Sequence, residues 1–188
     1  MSRFVDRGAI VAAWVGIGMA ATIAISFLLV IPIEPVYWLL SLPAGLLIGY
    51  YANARSGRRS GRWPRIVANG VVAGFVTAAT MAILLVAVKG LFFYADNGYR
   101  DASLGAPLEC PAGPGCVYAR YLADGRGPAL EAAGVRDVAS FTSFYWAQQG
   151  SSAGTVFGLT LAGGLGGALA YGLARPRPRH PDEVVGRA

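Results

Sequence analysis

Charged residues are scarce in this chain, and their scarcity excludes an ordinary soluble domain. Only 14% of its 188 residues are Asp, Glu, Lys or Arg, whereas 55% are hydrophobic. A typical soluble domain has roughly 25% charged residues. The formal charge of +6 would indicate nucleic-acid binding only as a basic face on a soluble domain. Here the arginines lie at the boundaries of long apolar runs, so we expect a lipid bilayer around the chain and no nucleic-acid partner.

Histidine and cysteine are almost absent, which excludes most metal and cofactor chemistry. The chain has one histidine, His180, and two cysteines, and its apolar runs contain no Asp, Glu, His or Arg. Zinc, haem and iron–sulfur sites need sets of ligands that these runs lack. The glycine-rich sequence GGLGGALAYG has neither the preceding strand nor the following lysine of a phosphate-binding loop. We therefore expect no cofactor, no metal, no catalytic residue and no enzymatic activity.

Five arginines are concentrated between two apolar runs and set the orientation of the chain. Moving an arginine across the hydrocarbon costs roughly 2.5–3.5 kcal/mol at the helix centre, so short arginine-rich loops stay in the cytoplasm. In the resulting scheme eleven arginines and three acidic residues are cytoplasmic, against four arginines and seven acidic residues outside. Both termini are then cytoplasmic, in a cell membrane that the preference for arginine suggests is bacterial. The five arginines are Arg55, Arg58, Arg59, Arg62 and Arg65.

Four uncharged or nearly uncharged runs predict an all-α membrane protein, a four-helix transmembrane bundle. The predicted spans are about residues 9–31, 36–53, 66–88 and 153–174. The first has 23 residues and would extend about 34 Å, enough for a hydrocarbon core of roughly 30 Å. Arg3 and Arg7 precede it, as they would precede a signal peptide. A signal peptide has a shorter apolar region and a small-residue cleavage site, so an uncleaved span is favoured.

Two residues in or beside the spans allow a functional or a structural interpretation. Pro43 lies inside the second span and predicts a kink, which is either a hinge or simply tolerated. Lys89 ends the third apolar run, about one membrane thickness from Ile66. Lys89 is either a contact for a transported ion or substrate, or a lysine whose side chain extends to the membrane interface. Its position favours the second interpretation.

The segment 95–147 is the only extramembrane part long enough to hold structure, and we expect it on the outer side. Cys110 and Cys116 flank a turn-rich LECPAGPGCVY sequence. Since the outer surroundings are oxidising, the two cysteines predict a disulfide that clips the loop. Their spacing suits neither a zinc site nor a thiol-exchange motif. Four carboxylates of this loop could support catalysis, but no spacing singles them out: Asp96, Asp101, Glu109 and Asp124.

The remainder of the loop has helical patterns. VYARYLA has apolar residues at helical offsets, and GPALEAAG has a proline for a first turn and a glycine for an end. Residues 135–146 repeat apolar side chains at helical spacing and end in an aromatic group. This segment is expected to lie flat on the membrane or to cap the bundle, as an anchor or as a binding platform.

Glycines one helical turn apart recur in three spans and predict close helix packing, chiefly within the monomer. The tail 175–188 is charged and interrupted by prolines, which indicates a disordered cytoplasmic end. The paired glycines are Gly45 and Gly49, Gly70 and Gly74, Gly154 and Gly158, and Gly163 and Gly167.

No residue pattern identifies a reaction, and two classes of function remain. The first is a non-catalytic scaffold or accessory subunit that presents the clipped loop to a membrane or extracytoplasmic protein partner. The second is a small transporter or channel that uses Lys89. A transporter usually has a polar or ionisable residue in the bundle interior. The spans offer little of this kind, so the scaffold is favoured.

Overall fold

A computed structural model of the chain describes residues 5–30, 34–56, 62–97 and 110–174. All regular secondary structure in these ranges is helical, which confirms the predicted all-α class. Arg58, Arg59, Asp101, Glu109 and the tail 175–188 lie outside the described residues. The helices are α1 (Arg7–Ala24, continued by a π-helical segment, Ile25–Val30), α2 (Glu34–Ala54), α3 (Trp63–Ala95), α4 (Pro114–Ala123), α5 (Gly127–Ala132) and α6 (Val138–Ala174).

Four of these helices are long and apolar enough to cross a membrane, as the sequence predicts. A bilayer core offers no water to the backbone, so an apolar segment must satisfy its peptide groups internally, and the α-helix does so. Pro43 lies within α2 at an exposed position, and the helix continues through it. The four membrane-length segments are Arg7–Leu29, Pro35–Ala54, Trp63–Ala95 and Val138–Ala174.

The four long helices form a bundle in which α2 and α3 contact each other and both α1 and α6 pack against the pair. Helices α1 and α3 run in one direction, and α2 and α6 run in the other. We call the end where α2 leads to α3 the arginine end, and the end where α3 leads to α6 the loop end. The interior is built largely from small residues, including Ala12, Ala20, Ala73 and Ala168, each fully buried. Small side chains let the helix backbones approach closely.

Glycines form the closest interface, between α2 and α6. A methyl group added at Gly45 would overlap the carbonyl oxygen of Thr160, and one at Gly49 would overlap that of Gly164. From the other helix, a methyl at Gly163 or Gly167 would overlap carbonyl oxygens of α2. A side chain at any of these positions would force the two helices apart.

The other glycine pairs divide into a buried and an exposed set. On α3, added methyl groups at Gly70 and Gly74 would lie 2.8 Å from the Gly164 carbonyl oxygen and 3.0 Å from its Cα, respectively. Gly154 and Gly158 lie on the exposed side of α6, with open space where a side chain would be. The structure therefore places these two glycines outside the close helix interfaces within the chain, unlike the expectation from their spacing.

Helix α6 begins fifteen residues before the expected boundary of the fourth span. It runs without interruption over 37 residues, about 55 Å, which is longer than a hydrocarbon core of roughly 30 Å. The aromatic segment up to Trp146 is thus the start of this long helix. It does not form a separate helix lying flat on the membrane. It packs against the end of α3, where Phe93 stacks on Tyr145 with ring centroids 4.4 Å apart.

A polar network joins α1, α2 and α3 at the arginine end. The Asp6 backbone N–H donates to Asn69 Oδ1 at 3.0 Å, and the Ser56 hydroxyl donates to the Asp6 carboxylate at 2.8 Å. Asn53 Nδ2 donates to the Ile66 carbonyl at 3.0 Å, which ties α2 to the first turn of α3. Asn53 and Asn69 are almost fully buried. Because buried amides are costly unless they are bonded, this network fixes the relative positions of the three helices.

Candidate functional site

Polar side chains in the bundle interior mostly bond to the helix backbone and do not line a path. The Ser41 hydroxyl donates to the Tyr37 carbonyl at 3.0 Å, and Thr77 donates to Ala73 at 2.9 Å. Tyr37 donates across to the Met81 carbonyl at 2.7 Å. Within the described residues, no Asp, Glu, His, Lys or Arg is buried. The described interior therefore offers no chain of ionisable groups for a proton or an ion.

Lys89 lies near the loop end of α3, at a half-buried position. Its carbonyl oxygen accepts a hydrogen bond of 3.4 Å from the Tyr145 hydroxyl. It lies one turn beyond the buried Leu85 and one turn before the buried Phe93, at the edge of the core. At the opposite end, Arg55 and Arg62 are exposed and Arg65 is half-buried.

The best-formed surface outside the bundle is a small helical unit at the loop end, which we call the cap and define as residues 110–137. A disulfide joins Cys110 and Cys116, with their Cα atoms 5.4 Å apart, which fits the expected bond. The Cys110 backbone N–H donates to the Asn97 carbonyl at 3.1 Å, just beyond the end of α3. The disulfide ties Cys110 to the first turn of α4, and the hydrogen bond from Cys110 ties both to the segment just after α3.

The two cap helices have clear start and stop signals. Pro114 and Pro128 lie in the first turns of α4 and α5, where a missing N–H costs nothing. Gly125 and Gly134 end the two helices with φ of 76° and 77°, a left-handed conformation that favours glycine. The signals of α5 were noted in the sequence and those of α4 were not. Together they explain why such short helices form beside the bundle.

An aromatic cluster holds the cap on the bundle. Phe141 of α6 is fully buried and lies 5.1 Å, ring centre to ring centre, from both Tyr118 and Tyr121 of α4. Leu130 and Val135 of the cap are buried in the same cluster as Phe93. Large aromatic side chains contribute most of the apolar area at such contacts. The cap is therefore packed onto α3 and α6, in addition to its bond to residue 97.

An ion pair adds a directional contact between the cap and α3. Arg120 donates to the Asp96 carboxylate at 2.9 Å, and the two side chains are 21% and 27% exposed. At this exposure such a pair stabilises by about 1 kcal/mol or less. Its main effect is to orient the two charged groups. Asp96 and Asp124 were noted as loop carboxylates from the sequence, but a pairing across 24 positions leaves no local pattern.

Within the described residues, two pockets on the cap are well enough formed to hold a small group. The larger lies between α4 and α5 and has a volume of about 410 Å³. Its lining combines the apolar Leu122, Leu130 and Val135 with the charged Glu131 and Arg136. The smaller lies between α3 and α4 and has a volume of about 170 Å³. No group of three or more potential metal ligands was found among the described residues.

The junction of the cap with α6 is fixed by reciprocal N-capping hydrogen bonds between Asp137 and Ser140 at the start of the helix. The Asp137 carboxylate accepts hydrogen bonds of 2.7 Å from both the backbone N–H and the hydroxyl of Ser140. The Ser140 oxygen in turn accepts from the backbone N–H of Asp137 at 3.1 Å. The bonds from Ser140 lower the pKa of Asp137 below its usual value. This arrangement satisfies backbone donors that the first turn would otherwise leave free.

Comparison with known proteins provides no further assignment. No protein-family model matches the sequence, and neither a curated protein nor a solved structure is significantly similar to it. The functional interpretation therefore depends on the geometry of the cap and the bundle.

Proposed function

We propose that this chain is a non-catalytic multi-pass protein of the cell membrane that acts as a scaffold or accessory subunit. In this proposal the arginine end and both termini face the cytoplasm. The cap faces outward and presents its surface to a membrane or extracytoplasmic protein partner. The observation that carries the proposal is the cap itself, which is clipped internally by a disulfide and held on the bundle by an ion pair and an aromatic cluster.

The larger pocket is the part of the cap best suited to contact a partner. Its lining includes the apolar Leu122, Leu130 and Val135, and Glu131 and Arg136 give it both signs of charge. Protein interfaces commonly combine an apolar centre with a polar rim. Leu122 of this lining is 44% exposed, a large apolar side chain that a partner would cover.

The orientation is supported by charge. The arginine-rich segment between α2 and α3 favours the cytoplasm, and the disulfide in the cap favours an oxidising compartment. A small transporter or channel using Lys89 is the alternative. It is less well supported, because the buried hydroxyls of the bundle bond to backbone carbonyls and Lys89 lies at the edge of the core.

Two matched substitutions test the contact surface. Leu122→Asp places a charge in the larger pocket, whereas Ala129→Asp places the same charge on an exposed position of α5 that does not line it. We expect a partner that co-purifies with the wild type in mild detergent to be lost from Leu122→Asp and kept by Ala129→Asp. Point changes are preferable to deleting the segment 95–147, since that deletion would remove the first turns of α6.

A transport assay provides the opposing outcome. Purified protein in liposomes is expected to move no solute. Solute movement that Lys89→Ala abolishes would replace the scaffold proposal with the transporter.

A further inference from the structure

The smaller pocket, between α3 and α4, has an unusual combination of aromatic and acidic walls. Its aromatic lining includes Phe93, Tyr121 and Tyr145, and its charged lining is Asp96, Arg120 and Asp124. We propose that this pocket binds the ammonium group of a small organic cation. The proposal concerns a different pocket from the proposed partner surface and does not depend on it.

The aromatic walls are held in place before any ligand arrives. Phe93 and Tyr145 stack with their planes 25° apart, and both are buried. Tyr121 is held by the edge-on contact with Phe141. Faces of aromatic rings carry negative charge density, and they attract ammonium groups within about 6 Å of the ring centre. Side chains already ordered by packing need not lose further freedom on binding.

One of these rings already accepts a cation. The guanidinium carbon of Arg126 lies 4.7 Å from the centre of the Tyr121 ring, and Arg126 does not line the pocket. Arg126 approaches the ring from outside the pocket, so an ammonium group in the pocket would contact the part of the ring that lines it. An ammonium group in the pocket would use the same kind of contact.

The charges of the lining select a cation over an anion. The pocket is lined by two carboxylates and one guanidinium, and Arg120 donates to Asp96 at 2.9 Å. The formal charge of the lining is thus negative by one unit. An anion would meet the carboxylate of Asp124 and the negative faces of the rings, both of which repel it.

The volume and position limit the ligand to two sources. About 170 Å³ is below the roughly 300–1,000 Å³ of pockets for drug-sized molecules, so it suits a fragment of headgroup size. The pocket lies where α3 passes Lys89 and ends, at the boundary of the apolar bundle. A soluble choline-like molecule or the choline or ethanolamine headgroup of a lipid would bring the same chemistry there.

The soluble source is tested with the purified full-length chain in a detergent that has a sugar headgroup. We expect choline chloride to bind in calorimetry and to raise the unfolding temperature. The carbon isostere of choline, with a tert-butyl group in place of trimethylammonium, should do neither. Tyr121→Leu should weaken choline binding about fivefold, as expected for the loss of one cation–π contact.

Asp124→Asn is the second variant, and its position is exposed, so folding should be unaffected. It should also weaken choline binding, by an amount that falls as salt is added. Glu131→Gln is the matched control, because it removes a carboxylate from the other pocket, and it should bind choline as the wild type does.

The lipid source is tested in nanodiscs that contain phosphatidylethanolamine and phosphatidylglycerol. Native mass spectrometry should then find more ethanolamine lipid retained by the wild type than by Asp124→Asn. Choline binding supports a soluble ligand, and selective lipid retention supports a headgroup. If neither occurs, or if the uncharged isostere binds as well as choline, the proposal is wrong.

Discussion

At Gly163, the lack of a side chain decides how closely two helices approach. A methyl group there would overlap the Leu42 carbonyl oxygen and lie 2.8 Å from the Leu46 nitrogen, both backbone atoms of α2. Backbone cannot move aside as a flexible side chain can. Gly158, five residues earlier in α6, differs: a methyl group added there would contact no neighbouring atom.

These two glycines make a matched test. We expect Gly163→Leu to destabilise the bundle by about 1–3 kcal/mol or more, the cost of overpacking a close interface. Gly158→Leu should leave stability nearly unchanged. Thermal unfolding in one detergent compares them directly, and equal stabilities for the two variants would contradict the interface described here.

The same residues show what spacing can predict. Every glycine pair one turn apart marks a possible close approach, and the sequence identified four pairs. Which pairs face a neighbour depends on how each helix is rotated in the bundle, and that rotation is set by contacts distant in sequence, such as Gly49 with Gly164.

Among the elements, α6 differs most from its sequence-based boundaries. Its first turns contain Gln148, Gln149, Ser151 and Ser152, so their hydropathy resembles a loop. They are nevertheless helical, because Phe141 and Tyr145 pack against Phe93 and the helix start is capped by Asp137. Tertiary packing thus overrides a weak local preference.

The N-capping hydrogen bonds of Asp137 at the start of α6 give a pH-dependent prediction. Since the pKa of Asp137 is lowered in the folded state, its contribution is present above the unfolded pKa of about 3.8 and is lost as pH falls through the folded pKa. We expect Ser140→Ala to reduce amide protection in the first turn of α6 at pH 7. The difference from wild type should shrink in acid. Hydrogen exchange, normalised for the intrinsic rate at each pH, measures this, and a difference that is independent of pH would refute the role of Asp137.

For the whole molecule, the class was predictable and the sites were not. Uncharged runs alone specify four helices of membrane length, because lipid leaves the backbone few alternatives. The smaller cap pocket could not be predicted, since it brings together Phe93, Tyr121 and Tyr145 from three helices.

Orientation is the prediction that belongs to the whole molecule. Reporter fusions at Ser103, after Arg62 and at the carboxyl end should place the first outside and the other two in the cytoplasm, because the arginines between α2 and α3 resist translocation. A cytoplasmic signal from the Ser103 fusion would invert the scheme and remove the basis for an outward-facing cap.

The glycine face of α2 has a consequence for how the protein is made. Ribosomes release α2 long before α6, yet the groove on α2 is shaped for the backbone of that last helix. Until α6 is synthesised, the α2 face around Gly45 and Gly49 lacks its partner. The N-terminal end of α1 likewise lacks a hydrogen-bond partner until α3 is made, because Asp6 bonds to Asn69, 63 positions later. The bundle is therefore complete only once the final helix has been made, and a chain truncated before α6 would leave this surface of α2 without its partner.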